Sequence, residues 1–278
     1  MKYKIIADSC CDINEDMKKN MNIELVPLSL QLEDKVFVDD ESLNVLDYVK
    51  EMKACPIAPK TACPSPQDFI NRYQRDEDTF VVTLSQELSG TYNSAEIARK
   101  IYLEEHKEKF IHVFNSKSAS VGETLIALKI DELVKSGISK EEIVEKVDEF
   151  IKGMKTYFLL ESLEHLAKAG RLKSYVAVIA TLLKIKPIMG ANSDGSIRLV
   201  HKVRGYKKAF SKLVDTISEE IHDFSDRILG IAHCNCLDKA IALKDKVLEK
   251  YNFKDIFIVE MQGLSSTYAD DGGIVIAF

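Results

Sequence analysis

No apolar run in the 278-residue chain approaches the roughly 18 residues that a membrane-spanning helix needs, and residues 1–8 carry too short an apolar stretch for a signal peptide. Stable membrane insertion is therefore not expected, and the expected location is cytoplasmic. Clusters of positive charge are missing as well. The 38 Lys and Arg residues are spread along a chain of formal net charge −6, which argues against a grip on a phosphate backbone, so nucleic acid is not an expected partner. No glycine run leads into Gly-Lys-Ser or Gly-Lys-Thr, so nucleotide hydrolysis has no support in the sequence. Internal repeats and low-complexity tracts are absent too. The six cysteines, at 10, 11, 55, 63, 234 and 236, are too irregularly spaced for a disulfide framework and read as reduced thiols. His233-Cys234-Asn235-Cys236 has no second closely spaced ligand pair to complete a tetrahedral set, so no metal is expected there. These residues read instead as the end of a buried strand over 227–234, with Asn235 or Cys236 near the cap of the next helix.

What is present is a large apolar fraction, 46%, in a chain close to the size one core can serve, which favours two domains. In the first half, strand patterns over 4–7, 23–30, 80–84 and 111–114 alternate with helical ones over 14–20, 94–105 and 122–135. The strand over 23–30 turns at Glu33-Asp34 into 35–38, and a helix after Ser42 carries apolar residues at 43, 46, 49 and 52. Strands separated by full helices imply crossovers and a mainly parallel sheet covered on both faces. Ser139-Lys140-Glu141-Glu142 is a capping box that opens a helix to about Met154, the expected inter-domain element. The second half differs in texture. It has a strand over 157–160, a helix over 163–169 closed by Gly170, an apolar segment over 175–185, and a hairpin of 186–189 with 197–200. Helices over 207–221 and 237–250 and strands over 227–233, 256–260 and 274–278 complete it. The expected class is α/β with two α/β domains, 1–154 built on a mainly parallel sheet flanked by helices and 155–278 on a mixed sheet with helices, and a ligand cleft between them.

Two hydroxyl-rich stretches precede helical patterns: Lys60-Thr61-Ala62-Cys63-Pro64-Ser65-Pro66 and Leu88-Ser89-Gly90-Thr91-Tyr92-Asn93-Ser94. Hydroxyls beside the unpaired N–H groups of a helix start can hold a carboxylate or phosphate without a counter-charge. The plainer reading is helix capping, and Ser65 with Pro66 and Asp68 fits a capping box with Pro at N1. A single cap needs one hydroxyl, however, whereas Ser85, Ser89, Thr91 and Ser94 all crowd behind the apolar run 79–84. In parallel sheets ligands bind beyond the carboxyl ends of the strands, where both stretches are expected to lie.

Asp8-Ser9-Cys10-Cys11-Asp12 follows the first strand, where an aspartyl nucleophile of a phosphotransferase or hydrolase could sit. The second aspartate two residues on that such enzymes use is missing. Asp12 reads more simply as a helix cap and Asp8 as a partner for nearby backbone or hydroxyl donors.

Taken in order, Asp8-Ser9, Pro59-Lys60-Thr61-x-x-Pro64-Ser65, Leu88-Ser89-Gly90-Thr91-Tyr92-Asn93-Ser94-Ala95, Leu163-Glu164-x-Leu166-x-x-x-Gly170-Arg171 and Val203-Arg204-Gly205 give the chain a resemblance to the DegV family over essentially its whole length. The resemblance implies a non-catalytic protein without a cofactor, in which one long-chain fatty acid is buried between two α/β domains. It also implies, for some members, a role as the lipid-binding component of bacterial fatty acid kinase, presenting the acid to a separate kinase subunit. By the same resemblance the carboxylate contacts fall on Thr61 and Ser89, and Arg171 and Arg204 lie nearest the ligand mouth. Arg171 has a simpler role available, as a cation at the helix end marked by Gly170, and Cys63 reads as a packing residue. The chain departs from the family where many members carry Thr-His-x-Gly-Pro-Gly before the last strand. Here Thr267-Tyr268-Ala269-Asp270-Asp271-Gly272 puts a neutral phenol at the histidine and two acids at the Gly-Pro, in what reads as a loop over 265–273. The phenol can still donate to a carboxylate. The resemblance therefore implies lipid binding more directly than presentation to a kinase.

Overall fold

A computed structural model describes residues 2–73, 77–172, 175 and 185–278. The first half contains β1 (Tyr3–Asp8), α1 (Glu15–Asn20), β2 (Ile23–Val26), β3 (Ser29–Leu32), β4 (Lys35–Val38), α2 (Val45–Ala54), β5 (Lys60–Ala62), α3 (Pro66–Tyr73), β6 (Asp78–Thr83), α4 (Thr91–Glu105), β7 (Ile111–Asn115), α5 (Val121–Lys135) and α6 (Lys140–Gly153). β8 (Thr156–Leu159), α7 (Glu164–Lys168), β9 (Ile185–Ala191), β10 (Ile197–Arg204), α8 (Tyr206–Thr216), β11 (Ile228–His233), α9 (Leu237–Leu248), β12 (Asp255–Glu260), α10 (Gly263–Ala269) and β13 (Ile274–Ala277) follow. The apolar segment expected over 175–185 lies largely outside the described residues. No helix among those described is long and apolar enough to cross a membrane.

A four-stranded parallel sheet, order β2-β1-β6-β7, carries the first half. Its residues alternate between two buried faces, as a covered sheet demands. Ile5, Ala7, Phe80 and Val82 pack against Ile126 and Ile130 of α5 and Val147 of α6, while Ile6 and Val81 pack against Phe69 of α3 and Ala95 and Ala98 of α4. A mixed sheet of six strands, order β10-β9-β8-β13-β11-β12, carries the second half. One of its faces buries Tyr157, Leu159 and Ile276 under Leu213 of α8 and Leu243 of α9. Its other face turns toward the first half, where Val121 and Leu125 of α5 join Met189, Ala232 and Ala277 in a shared core. α5 thus lies between the two sheets. That is why its sequence is apolar on nearly every side, with Val121, Leu125, Ile126, Ala127, Ile130 and Leu133 all buried.

The expected single strand over 23–30 is two strands in two sheets. Pro27 has no N–H to give to a ladder, so β2 ends at Val26 and β3 begins at Ser29 in a separate antiparallel sheet, order β4-β3-β5. β5 is too short to register as a periodic pattern, yet it places Thr61 opposite Leu30. The hairpin of β9 and β10 forms with Gly195 at φ +91, as the Asn192–Gly195 turn chemistry requires. Asp12 does not cap α1. Asn14 does so, accepting from Met17 N at 2.9 Å. All six cysteines are free, and Cys236 is the N-cap residue of α9 directly beyond β11.

The capping box at Ser139 is present in full: Ser139 N donates to Glu142 Oε2 at 3.1 Å and Glu142 N donates to Ser139 Oγ at 3.3 Å. Replacing Ser139 with Ala is expected to destabilise the protein by about 1 kcal/mol, within the usual range for a lost N-cap. Urea unfolding should show this as a lower midpoint with an unchanged slope.

Candidate functional site

The crevice of a parallel sheet opens where neighbouring strands send their connections opposite ways, here between β1 and β6. Asp8 closes the last turn of that crevice. Its Oδ1 accepts from Cys10 N at 3.0 Å and its Oδ2 from Leu84 N at 2.8 Å, so one buried carboxyl ties the loop after β1 to the loop after β6. Beside these loops lies a cavity of about 120 Å³. Cys10, Leu84, Leu88 and Ser89 line it from the first half, and Thr156, Phe158, Leu160, Leu166 and Val275 from the second. α10 contributes Leu264, Ser265, Tyr268 and Ala269, and β5 contributes Thr61.

The walls are mostly apolar, but one corner is polar. Thr61 Oγ1 and the Tyr268 hydroxyl are hydrogen-bonded at 2.8 Å, joining residues 207 positions apart in the chain. Ser89 Oγ meets Thr91 Oγ1 at 2.9 Å and accepts from Thr91 N at 3.3 Å, at the start of α4. The Arg171 guanidinium stands 5.7 Å from the centre of the Tyr268 ring. It is held there by donation from Nε to Leu88 O at 3.1 Å and from Nη1 to Ala169 O at 2.7 Å. Such an arrangement offers hydroxyl donors and one fixed cation to an anionic group, and an apolar chamber to whatever is attached to it.

Of the residues expected at the site, Thr61, Ser89, Arg171 and Tyr268 line this one cavity. Arg204 does not line it. It lies exposed at the end of β10, opposite Ile185. Cys63 is exposed as well, with its sulfur 4.0 Å from Ser94 Oγ. The segment expected as a loop over 265–273 begins as helix α10, with Tyr268 near its end. Its hydroxyl-rich sequence hides the helix, because Ser and Thr compete with the backbone for hydrogen bonds. Tertiary partners supply the missing caps: Asp39 accepts from Gly263 N at 2.8 Å and Leu264 N at 2.9 Å, and Asp12 accepts from Gln262 N at 2.7 Å. Sequence reasoning missed both aspartates in this role, since Asp39 stands in a polar strand end and its targets lie more than two hundred residues away. His165 and Tyr48 add contacts to Thr267 of the same helix.

Two α/β units line a mainly apolar cavity that carries the Thr61, Ser89 and Tyr268 hydroxyls and the Arg171 guanidinium. The chain belongs to the DegV family, whose model, described as an uncharacterised protein of that family, matches residues 2–278. A DegV domain-containing protein of Streptococcus gordonii is 35% identical over 280 residues, spanning 100% of this chain and 99% of the relative. Among solved structures, a DegV family protein from Ruminococcus gnavus with vaccenic acid superposes with a TM-score of 0.96 at 44% identity, covering 99% of each chain. The Streptococcus pneumoniae Fatty Acid Kinase (Fak) B3 protein loaded with linoleic acid superposes with a TM-score of 0.92 at 34% identity, covering 100% of this chain and 99% of that one.

Behind the cavity wall lies a set of buried acids. Burial pushes the carboxyls of Asp8 and Asp12 up to about 7 and that of Asp39 up to about 6. Glu123, fully buried on α5, has neither carboxylate oxygen hydrogen-bonded and is held well above the usual carboxylate range, by burial first and by the neighbouring Asp8 second. Donor atoms of Asp8, Cys10 and Glu123 lie within 4.8 Å of one another and could hold a cation. Burial also holds the Cys10 thiol well above its usual range, so neither that thiol nor Glu123 readily supplies the anionic donor that a cation needs. Asp8 is fully buried, accepts from two backbone N–H groups and is not among the described residues that line the cavity.

The sign of the pH effect follows directly. Folded Glu123 keeps a proton that the unfolded chain releases above about pH 4.3, so this group lowers stability progressively as pH rises past that value. Glu123→Gln carries no such proton. Its stability relative to wild type is expected to rise with pH above about 4.3, by up to about 1.4 kcal/mol per pH unit, as read from denaturant unfolding at a series of pH values.

Proposed function

We propose that this protein binds one long-chain fatty acid, its carboxylate at the Thr61–Ser89–Tyr268 corner beside Arg171 and its hydrocarbon chain in the apolar cavity, with residues 1–154 and 155–278 as the two walls. The observation that carries the reading is the hydrogen bond between Thr61 and Tyr268, which sets two hydroxyls from opposite halves on the wall of a mainly apolar chamber. An isolated carboxylate buried without partners would cost several kcal/mol, and hydroxyl donors with a fixed guanidinium offset that cost. The tail supplies affinity: at about 0.8 kcal/mol per methylene, a chain of sixteen carbons contributes on the order of 10 kcal/mol before ordering costs. Vaccenic and linoleic acids, named for the two structural relatives, combine these same two features. The protein acts in this reading as a cytoplasmic carrier without turnover of its own.

Presentation of the acid to a fatty acid kinase subunit is the second part of the proposal, supported by the likeness to Fak B3. The two aspartates that replace the family's Gly-Pro do not both act as unopposed charge. Asp271 accepts from Lys53 Nζ at 2.7 Å and from Asn235 Nδ2 at 3.1 Å, and Lys53 chiefly holds its carboxyl below the ordinary range.

Organic extraction of the purified protein followed by mass spectrometry is expected to return about one long-chain acid per chain, and a lipid-free protein that takes up no acid would overturn the reading. Thr61→Ala and Ser89→Ala should each weaken binding by about tenfold to a hundredfold, the usual worth of a hydrogen bond to a charged group. Because Thr61 and Tyr268 share a hydrogen bond, Thr61→Ala combined with Tyr268→Phe should cost measurably less than the sum of the two single changes in fluorescent fatty-acid displacement. With a cognate kinase subunit the loaded protein should yield acyl phosphate. Retention of lipid without any acyl phosphate would restrict the role to carriage.

A further inference from the structure

Lysine and arginine are spread along the sequence, yet the fold gathers four of them around one opening. A second cavity, of about 380 Å³, lies at the seam of the two halves and is lined by Lys117 from the loop after β7, Lys152 from the last turn of α6, Lys155 just before β8 and Arg198 of β10. Its volume falls within the roughly 300–1,000 Å³ of small-molecule sites. It is recessed, since the buried residues Ser116 and Thr156 also form part of its wall. Among the described residues Glu220 is the one acid in the lining, so four cations meet one carboxylate in a chain whose formal net charge is −6.

Two of the cations are fixed in place. Glu220 accepts from Lys155 Nζ at 2.6 Å and from Arg198 Nη2, while Arg198 Nε donates to Ala191 O at 3.2 Å and the Tyr157 hydroxyl donates to Glu220 at 3.2 Å. Lys155 first, and then Arg198, hold the Glu220 carboxyl down to about 2. An ammonium has three donors and a guanidinium five, so each keeps N–H groups for a second anion. The other two cations are unmatched: neither Lys117 nor Lys152 forms an ion pair with a described residue. Lys152 at least suits the C-terminal pole of α6. Lys117 has no such use. Its backbone is in the left-handed region at φ +52, which a residue with a Cβ disfavours, and it stands just before α5, whose positive pole repels a cation. Gly195 of the facing turn packs so closely that a Cβ there would fall 2.8 Å from Lys117 Cα, and Asp194 of that turn accepts instead from Ser196 N at 2.8 Å and Ser196 Oγ at 2.6 Å.

We propose that this cavity is a binding site for a phosphate group, with Lys117 and Lys152 donating to it beside the Lys155–Glu220–Arg198 cluster. A carboxylate ligand would bring one negative charge, as Glu220 already does. A phosphate monoester brings about −1.5 to −2 and three acceptor oxygens, which matches the excess of cations and the number of directions from which they converge. The site is separate from the Thr61–Tyr268 corner and does not depend on what the apolar cavity holds.

Titration calorimetry with pyrophosphate at low ionic strength tests the site. Wild type should bind one pyrophosphate per chain, more weakly as salt is added. Lys117→Ala and Lys152→Ala should each lower the affinity by about tenfold, the worth of one hydrogen bond to a charged group. Glu220→Gln should raise it, because Lys155 and Arg198 lose their internal carboxylate. Loss in one pair of variants and gain in another cannot both arise from a damaged fold. Lys100→Ala combined with Lys246→Ala, which removes two exposed cations elsewhere, should bind as wild type does. Co-sedimentation with phosphatidylglycerol vesicles, against phosphatidylcholine vesicles, identifies the carrier of the phosphate. Vesicle binding that is lost with Lys117 and Lys152 supports the site and assigns it a lipid headgroup, whereas pyrophosphate binding alone supports it and assigns a soluble molecule. Wild type that binds neither probe, or a Lys117→Ala, Lys152→Ala double variant that binds them as wild type does, would overturn the proposal.

Discussion

Asp39 accepts two backbone hydrogen bonds from the first residues of α10, and Asp12 accepts a third from the residue before them. A short helix rich in serine and threonine has little intrinsic stability, so its place is decided by what holds its free N–H groups. These acids belong to one half of the molecule and the helix to the other. Tyr268 reaches Thr61 because the helix start is fixed in this way, and the polar corner exists because Tyr268 reaches Thr61. The fit allows no slack: a Cβ on Gly263 would come within 2.5 to 2.7 Å of Leu43, Leu30 and Asp39 itself. A glycine there lets the backbone approach the carboxylate closely enough to donate.

The same economy appears on the other side of the cavity. Asp8 joins the loops after β1 and β6, and α5 fills the space between the two sheets with apolar side chains in place of ion pairs. Salt bridges between the halves do occur, such as Lys53 with Asp271, but they are at the surface, where such pairs contribute little. What joins the halves is buried: carboxyl groups bound to backbone N–H groups, and a helix packed against both sheets.

Much of the fold is legible in the sequence because its signals are local. The alternating strands and helices of the parallel sheet, the Ser139 capping box and the turn at Gly195 each follow from a few adjacent residues, and each is found in place. The break at Pro27 is local too, yet the apolar residues on either side of it look like one strand. α10 could not be read, since its stabilising partners are remote aspartates. The site divides similarly. The hydroxyl stretches holding Thr61 and Ser89 point to an anion cradle on physical grounds, whereas the carboxylate-contact role of these two and the positions of Arg171 and Tyr268 near the ligand follow from family likeness. Arg204, placed near the ligand mouth by the same likeness, is exposed at the end of β10 and does not line the cavity.

The cavity takes its walls from both halves, and its polar corner is bridged across them by Thr61 and Tyr268. On the fatty-acid reading, a bound chain touches both halves at once, so the bridge and the packing around α10 bear on its departure. Residence time then depends on how the two halves hold together as well as on how well the carboxylate is matched.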